Sequence, residues 1–291
     1  MKILVLGASG QLGRCFLDQI KGTNYEVVSL SRDQANIEDF KKIKDIIKKI
    51  APDIIYNAAA YTSVDEAEIK SQKANNINNL AVSNIADAAF EMGCWLIHFS
   101  TDYVFDGKSS VPYKESDTTN PTGIYGKTKL DGELSVINSG CKYLIIRTSW
   151  IFSEYGNNFL KTMLNLSDKE NINVVSDQYG CPTYAQDIAI ASLSIVHKIS
   201  LDKMQSEIFH FCGDKIYSWY EFASEIFNKL TPLVKDCSVK VNQISSEAFN
   251  ARAIRPAYSA LDCTKIQKQL DIKLPNSSES ITKVLKKLYA D

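Results

Sequence analysis

Tyr125 and Lys129, in Tyr125-Gly126-Lys127-Thr128-Lys129, stand four residues apart, which puts a phenol and an ammonium on one face of a helix. A phenol with an ordinary pKa of about 10 exchanges protons poorly near neutrality. An ammonium about 5 Å away would favour the phenolate by roughly 3 kcal/mol at an effective dielectric of ~20, or about two pKa units. A chain with 14 tyrosines is expected to carry such a pair by chance, so the pair takes its weight from its surroundings. Ser100 and Thr101 follow the apolar run 94–99, which places two hydroxyls at the carboxyl end of an expected strand. Open α/β sheets bind ligands at such ends. There Thr101 can hydrogen-bond the oxygen of a carbonyl compound while Tyr125 hands that oxygen a proton. The trio suits reduction of a ketone, provided a hydride donor lies beside it.

A place for that donor is written at the other end of the chain. Gly7-Ala8-Ser9-Gly10-Gln11-Leu12-Gly13 follows the apolar run 3–6 directly and opens an amphipathic segment. Gly7 suits a sharp turn, Gly10 lets the backbone approach a pyrophosphate, and Gly13 lets the helix pack close to the strand. Gln11 and Leu12 complete the expected phosphate-facing turn, where free N–H groups and the helix dipole favour anions. The spacing is G-x-x-G-x-x-G rather than G-x-G-x-x-G. The second apolar run, 26–30, leads into Ser31-Arg32-Asp33. An acid there would hold an adenosine ribose 2′-hydroxyl and an arginine a 2′-phosphate. Ser31 and Arg32 are cofactor-binding candidates; Arg32 favours NADPH, Asp33 leaves NADH open, and KM values for both dinucleotides separate the two.

Both ends need a scaffold. β-Branched runs at 3–6, 26–30, 53–56, 94–99 and 142–146 alternate with amphipathic segments at 11–20, 38–50, 71–92 and 125–137. That alternation predicts βαβ units on a parallel sheet, and nearly continuous apolar strands predict helices on both faces. The fold class is α/β, a Rossmann-type doubly wound parallel sheet with a second, smaller α/β lobe. Residues 1–150 are expected to form the dinucleotide-binding domain, with returning segments near 172–200 and 239–262. Residues 151–171, 201–238 and 263–291 are expected to form the substrate lobe. Helices are expected there or nearby at 158–166, 185–198, 218–230 and 278–289, with strands at 172–175, 208–212 and 239–241.

Composition excludes several function classes. With 33 Lys+Arg against 34 Asp+Glu the net charge is −1, which argues against a chain held on nucleic acid or an anionic membrane by bulk charge. No apolar run approaches the ~20 residues that span a bilayer. The N-terminus lacks the apolar core and cleavage site of a signal peptide, so a cytoplasmic location is expected. The seven cysteines never form a C-x-x-C pair, which predicts reduced, mostly buried thiols rather than disulfides or a zinc site. His98, His197 and His210 share no metal-ligand spacing and are expected to be structural or surface residues; no metal is expected.

The chain resembles the extended short-chain dehydrogenase/reductase superfamily and, within it, the dTDP-4-dehydrorhamnose reductases. The resemblance is carried by 7–13, by Asn57-Ala58-Ala59-Ala60-Tyr61 within 52–62, and by Val64-Asp65-Glu66-Ala67-Glu68. It continues through Ser100-Thr101-Asp102-Tyr103 opening 100–107, Tyr125 to Glu133, Arg147-Thr148-Ser149-Trp150, Gly156-Asn157-Asn158-Phe159, 177–183 and Arg255-Pro256. It implies that Thr101, Tyr125 and Lys129 are catalytic and that Ala58, Ala59, Ala60 and Tyr61 line the cofactor, with Asn78 beside them. It also implies that Tyr103 and Trp150 face the sugar, and that Asn158 and Arg255 meet the nucleotide and diphosphate. Competing readings are plain core for Trp150 and a helix cap for Arg255. One departure is Asn36-Ile37, where the family often has Asp before the aliphatic residue. Glu115 is expected on a solvated surface loop.

The implied activity is NAD(P)H-dependent reduction of the C4 ketone of dTDP-4-dehydro-L-rhamnose to dTDP-L-rhamnose for surface polysaccharide, with a nucleotide sugar as partner; the oligomeric state is left open, a homodimer among the options. Superfamily dehydratases carry Thr-Asp-Glu where this chain has Thr101-Asp102-Tyr103, so elimination is disfavoured. A 4-epimerase shares the Tyr/Lys chemistry but must keep its cofactor through turnover. Another nucleotide-sugar 4-ketoreductase remains open. So does a non-catalytic nucleotide-binding subunit, since the resemblance extends to a regulatory subunit of methionine adenosyltransferase.

Overall fold

Strands rich in Ile, Leu and Val, apolar on both faces, require cover on both sides. The computed structural model, which describes residues 1–234 and 238–289, supplies it. β1 (Lys2–Leu6), β2 (Glu26–Leu30), β3 (Ile54–Asn57), β4 (Trp95–Thr101) and β5 (Lys142–Thr148) join the strand Glu207–His210 in a six-stranded sheet. The order across it is Glu207–His210, β5, β4, β3, β1, β2, and every pairing is parallel. Alternate residues serve opposite cores: Ile3 and Val5 face one, Leu4 and Leu6 the other. The first core takes in α1 (Gln11–Ile20) and the helix Ala185–Ser200; the second is closed by α2 (Phe40–Ile50), α5 (Ala81–Met92) and α6 (Ile124–Asn138).

The chain runs from β1 outward to β2 and returns on the other side of β1 as β3, so strand order reverses between β1 and β3. In doubly wound sheets that switch point opens a ligand crevice at the carboxyl ends of the strands. Between β3 and α5 lie α3 (Val64–Ile69), α4 (Ser71–Asn75) and a π-helical turn, Asn76–Leu80. The sequence pattern implies a single helix over 71–92. The π turn interrupts it where Asn78 turns its amide onto neighbouring backbone.

The smaller lobe has its own core, including Phe152, Leu160, Tyr184, Phe222 and Ile281. It is built on the parallel pair Asn171–Val175 and Lys240–Ile244, with helices Phe159–Leu164, Trp219–Leu230 and Ser277–Tyr289. The expected apportioning of segments changes in three places. Glu207–His210, expected in the substrate lobe, pairs with β5, whose outer edge would otherwise expose its backbone groups. The strands near 172 and 240, expected to return to the large domain, pair with each other, and Ile172 and Val174 enter the small core. The helix Thr264–Leu270 sends Ile266 and Leu270 into a core of the large sheet. Among the described residues, no helix is long and apolar enough to cross a membrane. Cys15, Cys94, Cys141, Cys181, Cys212 and Cys263 are buried, free thiols; Cys237 lies outside the described residues.

Candidate active site

At the switch point the β1–α1 turn is pressed against the loop after β3. Gly7 adopts φ +76°, and a Cβ on it would lie 2.7 Å from the Ala59 nitrogen and 2.8 Å from the Ala58 carbonyl carbon. A Cβ on Gly13 would meet the Gly7 oxygen at 2.4 Å, so the helix comes as close to the strand as its spacing implies. Gly10 begins α1 with no side-chain cap among the described residues, which leaves first-turn N–H groups free for an anion. The cleft between, of ≈ 190 Å³, is lined by Gly7, Gly10, Arg32, residues 58–61 and Ile77. Backbone close enough to grip a diphosphate, an open helix N-terminus and a basic side chain fit a phosphorylated dinucleotide. Arg32 is exposed and lies 3.4 Å from Glu38, and Ser31 adjoins it in the same loop. Asn36 lines the cleft, with its Oδ1 accepting from the Glu38 N–H at 3.2 Å.

Three residues expected at the cofactor stand behind it. Leu12 is in the large core and can offer only its backbone. The Gln11 side chain turns to the smaller lobe, where its Oε1 accepts from Ser153 Oγ at 2.9 Å and Asn158 Nδ2 at 2.8 Å. Asn78 is fully buried and clamps the cleft loop from the rear. It accepts from the Tyr61 N–H at 2.9 Å, and its Nδ2 donates to Tyr61 O at 3.1 Å and Thr128 Oγ1 at 3.3 Å.

Thr101 closes β4, and its Oγ1 donates to Asp102 Oδ1 at 2.9 Å and accepts from the Tyr103 N–H at 3.2 Å. Tyr125, in the first turn of α6, packs edge-on against Tyr103 with ring centroids 5.8 Å apart. Burial pushes its hydroxyl up to about 12; the neighbouring Thr101 pulls it down, and Asp102 adds to the rise. Burial also pushes the Asp102 carboxyl up to about 7. Lys129 is buried one helical turn on, and burial pushes its ammonium down to about 8. The expected lysine effect on the phenol differs here. Lys129 Nζ donates to Phe99 O at 2.6 Å and lies 3.4 Å from His98 Nε2, and desolvation is the largest influence on Tyr125.

The substrate candidates divide. Trp150 holds a strained backbone, φ +47°, with its indole stacked 3.4 Å and 3° from parallel on Trp219. Gly180 makes room for that ring, since a Cβ there would lie 2.5 Å from it. Arg255 lines a largely apolar pocket of ≈ 350 Å³ together with Phe159, Met163, Trp219 and Phe249. Its guanidinium reaches Asp65 at 2.6 Å, and its charge offsets part of the rise that burial imposes on the Tyr103 hydroxyl. Asn158 is engaged within the protein. Its Oδ1 caps the helix Phe159–Leu164 through the Lys161 N–H at 3.1 Å, and its Nδ2 is taken by Gln11, Ser153 and Tyr155, so the amide has little left for a nucleotide.

Several positioning groups were missed by sequence reasoning. Glu68 Oε1 accepts from the Ile124 N–H at 2.8 Å, capping α6 from α3, and Asp65 holds Arg255 and the Ala253 N–H. The acidic Val64–Glu68 motif was visible, but its partners lie far along the chain. A Cβ on Gly126 would sit 2.1 Å from Tyr103 O and one on Gly132 would sit 2.1 Å from Asn78 O. The glycines of the Tyr/Lys helix therefore let it press on both neighbours. Glu115, expected in solvent, is partly buried and accepts from the His210 N–H at 2.9 Å.

Residues 1–290 match the family model described as the RmlD substrate binding domain. A dTDP-4-dehydrorhamnose reductase of Aggregatibacter actinomycetemcomitans is 42% identical over 276 residues, covering 94% of each chain. Among solved structures, a dTDP-4-dehydrorhamnose reductase of Clostridium acetobutylicum superposes with a TM-score of 0.92 at 37% identity over 99% of both chains. The Bacillus anthracis dTDP-4-dehydrorhamnose reductase, solved in complex with NADP, gives a TM-score of 0.91 at 33% identity, covering 98% of this chain and 99% of that one.

Proposed function

Because the chain belongs to the RmlD substrate binding domain family, we infer that it is an oxidoreductase that reduces the C4 ketone of dTDP-4-dehydro-L-rhamnose with NADPH, giving dTDP-L-rhamnose. Gly7, Gly10 and the first turn of α1 would hold the pyrophosphate, Arg32 the 2′-phosphate, and residues 58–61 the wall beside the ribose. NADPH supplies the hydride. Tyr125 delivers the proton to the C4 oxygen, and a hydroxyl that burial holds up at about 12 is fully protonated at neutral pH, as a donor must be. Thr101, whose hydroxyl hydrogen goes to Asp102 in this structure, would turn it to the same oxygen when the ketone is bound. Lys129 supplies positive charge as the phenolate forms and binds the ribose.

The large-sheet lobe serves the dinucleotide and the smaller lobe the nucleotide sugar. Support for that division is the 350 Å³ pocket, where Phe159 and Trp219 suit a base and Arg255 a diphosphate, with Trp150 at its margin for the sugar. Six buried, unpaired thiols fit a reducing compartment such as the cytoplasm.

One arrangement carries the catalytic assignment: Tyr125, in the first turn of α6, and Thr101, at the end of β4, meet through Tyr103, whose ring packs edge-on against Tyr125 and whose N–H donates to Thr101 Oγ1. Tyr125→Phe should lower kcat by about 10²- to 10⁴-fold while NADPH Kd changes little. Wild-type turnover in that variant rejects the role. A panel of 4-keto nucleotide sugars with NADPH separates this reductase from one of different base or sugar, and from a subunit that only binds.

A further inference from the structure

His98 stands on β4 three residues before Thr101, fully buried between Asn57 on β3 and Lys129 on α6. Donors and acceptors along this string can be assigned in order. The Ala59 N–H can only donate, and it donates to Asn57 Oδ1 at 3.2 Å. The Asn57 Nδ2 therefore carries the amide hydrogens, and it lies 3.2 Å from His98 Nδ1. Nδ1 must accept, so a neutral imidazole bears its hydrogen on Nε2, 3.4 Å from Lys129 Nζ. Burial first, and Lys129 second, hold His98 well below its usual pKa, so neutrality is the form to expect. An N–H aimed at Nζ meets a lone pair on an amine and none on an ammonium. The bond from Nζ to Phe99 O is open to both forms.

We propose that His98 is a positioning residue for Lys129: locked by Asn57, its Nε2–H holds the amine form against β4 and leaves the ammonium to face Tyr125. The proposal rests on the reading of Lys129 as catalytic. Other titratable groups come from every side of α6. Its own Glu133 acts on Lys129 but is chelated by Arg147 of β5 at 2.7 to 3.2 Å. The turn after β4 brings Asp102 and Tyr103, α3 brings Glu68 to the helix N-terminus, and the π turn brings amides. His98 is the one of these that meets Nζ with a fixed hydrogen. The string begins at Ala59, in the wall of the cofactor cleft, so the same loop that would touch the dinucleotide sets the imidazole's orientation.

The tautomer is directly observable. In ¹⁵N-labelled protein without added dinucleotide, long-range ¹H–¹⁵N correlation at neutral pH should show an imidazole with Nε2–H and bare Nδ1 that vanishes in His98→Gln. An Nδ1–H tautomer or an imidazolium at this residue overturns the proposal. In turnover, activity should fall as rising pH deprotonates Lys129. His98→Asn removes the Nε2–H, so the ammonium should persist and the alkaline limb of kcat/KM should move up by about 0.5 to 1 pH unit, the worth of one hydrogen bond. An unmoved limb in His98→Asn overturns the proposal. Lys129→Met separates the two levels. Full turnover there defeats the catalytic reading and this one with it, whereas lost turnover beside an unmoved limb in His98→Asn defeats only the role of His98.

Discussion

At the carboxyl ends of β1 and β3 the proposed cofactor cleft is walled by backbone: Gly7 against Ala58 and Ala59, and the uncapped first turn of α1. In the smaller lobe the 350 Å³ pocket is walled by side chains, Phe159 and Trp219 from two helices and Arg255 from a loop tied to α3. A backbone wall depends on the absence of side chains, so a few contiguous glycines and alanines specify it. A side-chain wall depends on groups far apart in sequence arriving together. The first should fail by steric intrusion at single atoms, the second by loss of individual contacts.

The largest effect expected of this contrast is at Gly7. Gly7→Ala places a methyl against backbone that has no rotamer to yield, at 2.7 to 2.9 Å, and on a residue at φ +76°. The left-handed conformation alone costs roughly 1–2 kcal/mol, and forced contacts typically add about 1–3 kcal/mol. If the loop moves to relieve them, NADPH affinity should fall by about 100-fold or more, since that factor is only ~2.7 kcal/mol. Calorimetric titration with NADPH checks it, alongside a melting curve to register the stability cost. Wild-type affinity in this variant would show that the cleft is not held by backbone contact.

Arg255 tests the other wall. Its guanidinium meets both Asp65 and the proposed diphosphate pocket, and hydrogen bonds to charged groups are worth about 1.5–3 kcal/mol. Arg255→Met should raise KM for the nucleotide sugar by roughly 10- to 100-fold and leave NADPH Kd unchanged. Steady-state kinetics against each substrate reads both. An equal loss for both ligands would mean that Arg255 acts through Asp65 on the fold rather than on the pocket.

The same contrast explains what the sequence could tell. The sheet was legible because 3–6, 54–57 and 142–146 are strands whose apolar residues serve both cores, and the glycine turn was legible because all its parts are adjacent. The Tyr125 and Lys129 pair was legible from helical spacing, but not the direction of the lysine, which depends on the Phe99 carbonyl of another strand. The partners of Asn158 were not legible because its amide answers Gln11, 147 residues away, and Glu68 was overlooked because the N–H it caps is 56 residues on. Strand Glu207–His210 was placed in the wrong lobe because a short apolar run carries no mark of which edge will pair with it.

The smallest effect is expected where a side chain modifies the backbone wall. Arg32 is exposed, 63% at the side chain, and its pair with Glu38 at 3.4 Å is a surface contact of little worth. Its proposed partner is the 2′-phosphate that distinguishes NADPH from NADH. Arg32→Ser should therefore leave kcat/KM with NADH nearly as it is and lower the NADPH to NADH ratio by about tenfold, or ~1.4 kcal/mol. The loss should shrink with added salt, because an exposed charge pair is screened. Glu38→Gln frees the same guanidinium and should move the ratio the other way by a smaller factor. If Arg32→Ser weakens both dinucleotides equally, the arginine serves the loop after β2 rather than the phosphate, and the wall is backbone throughout.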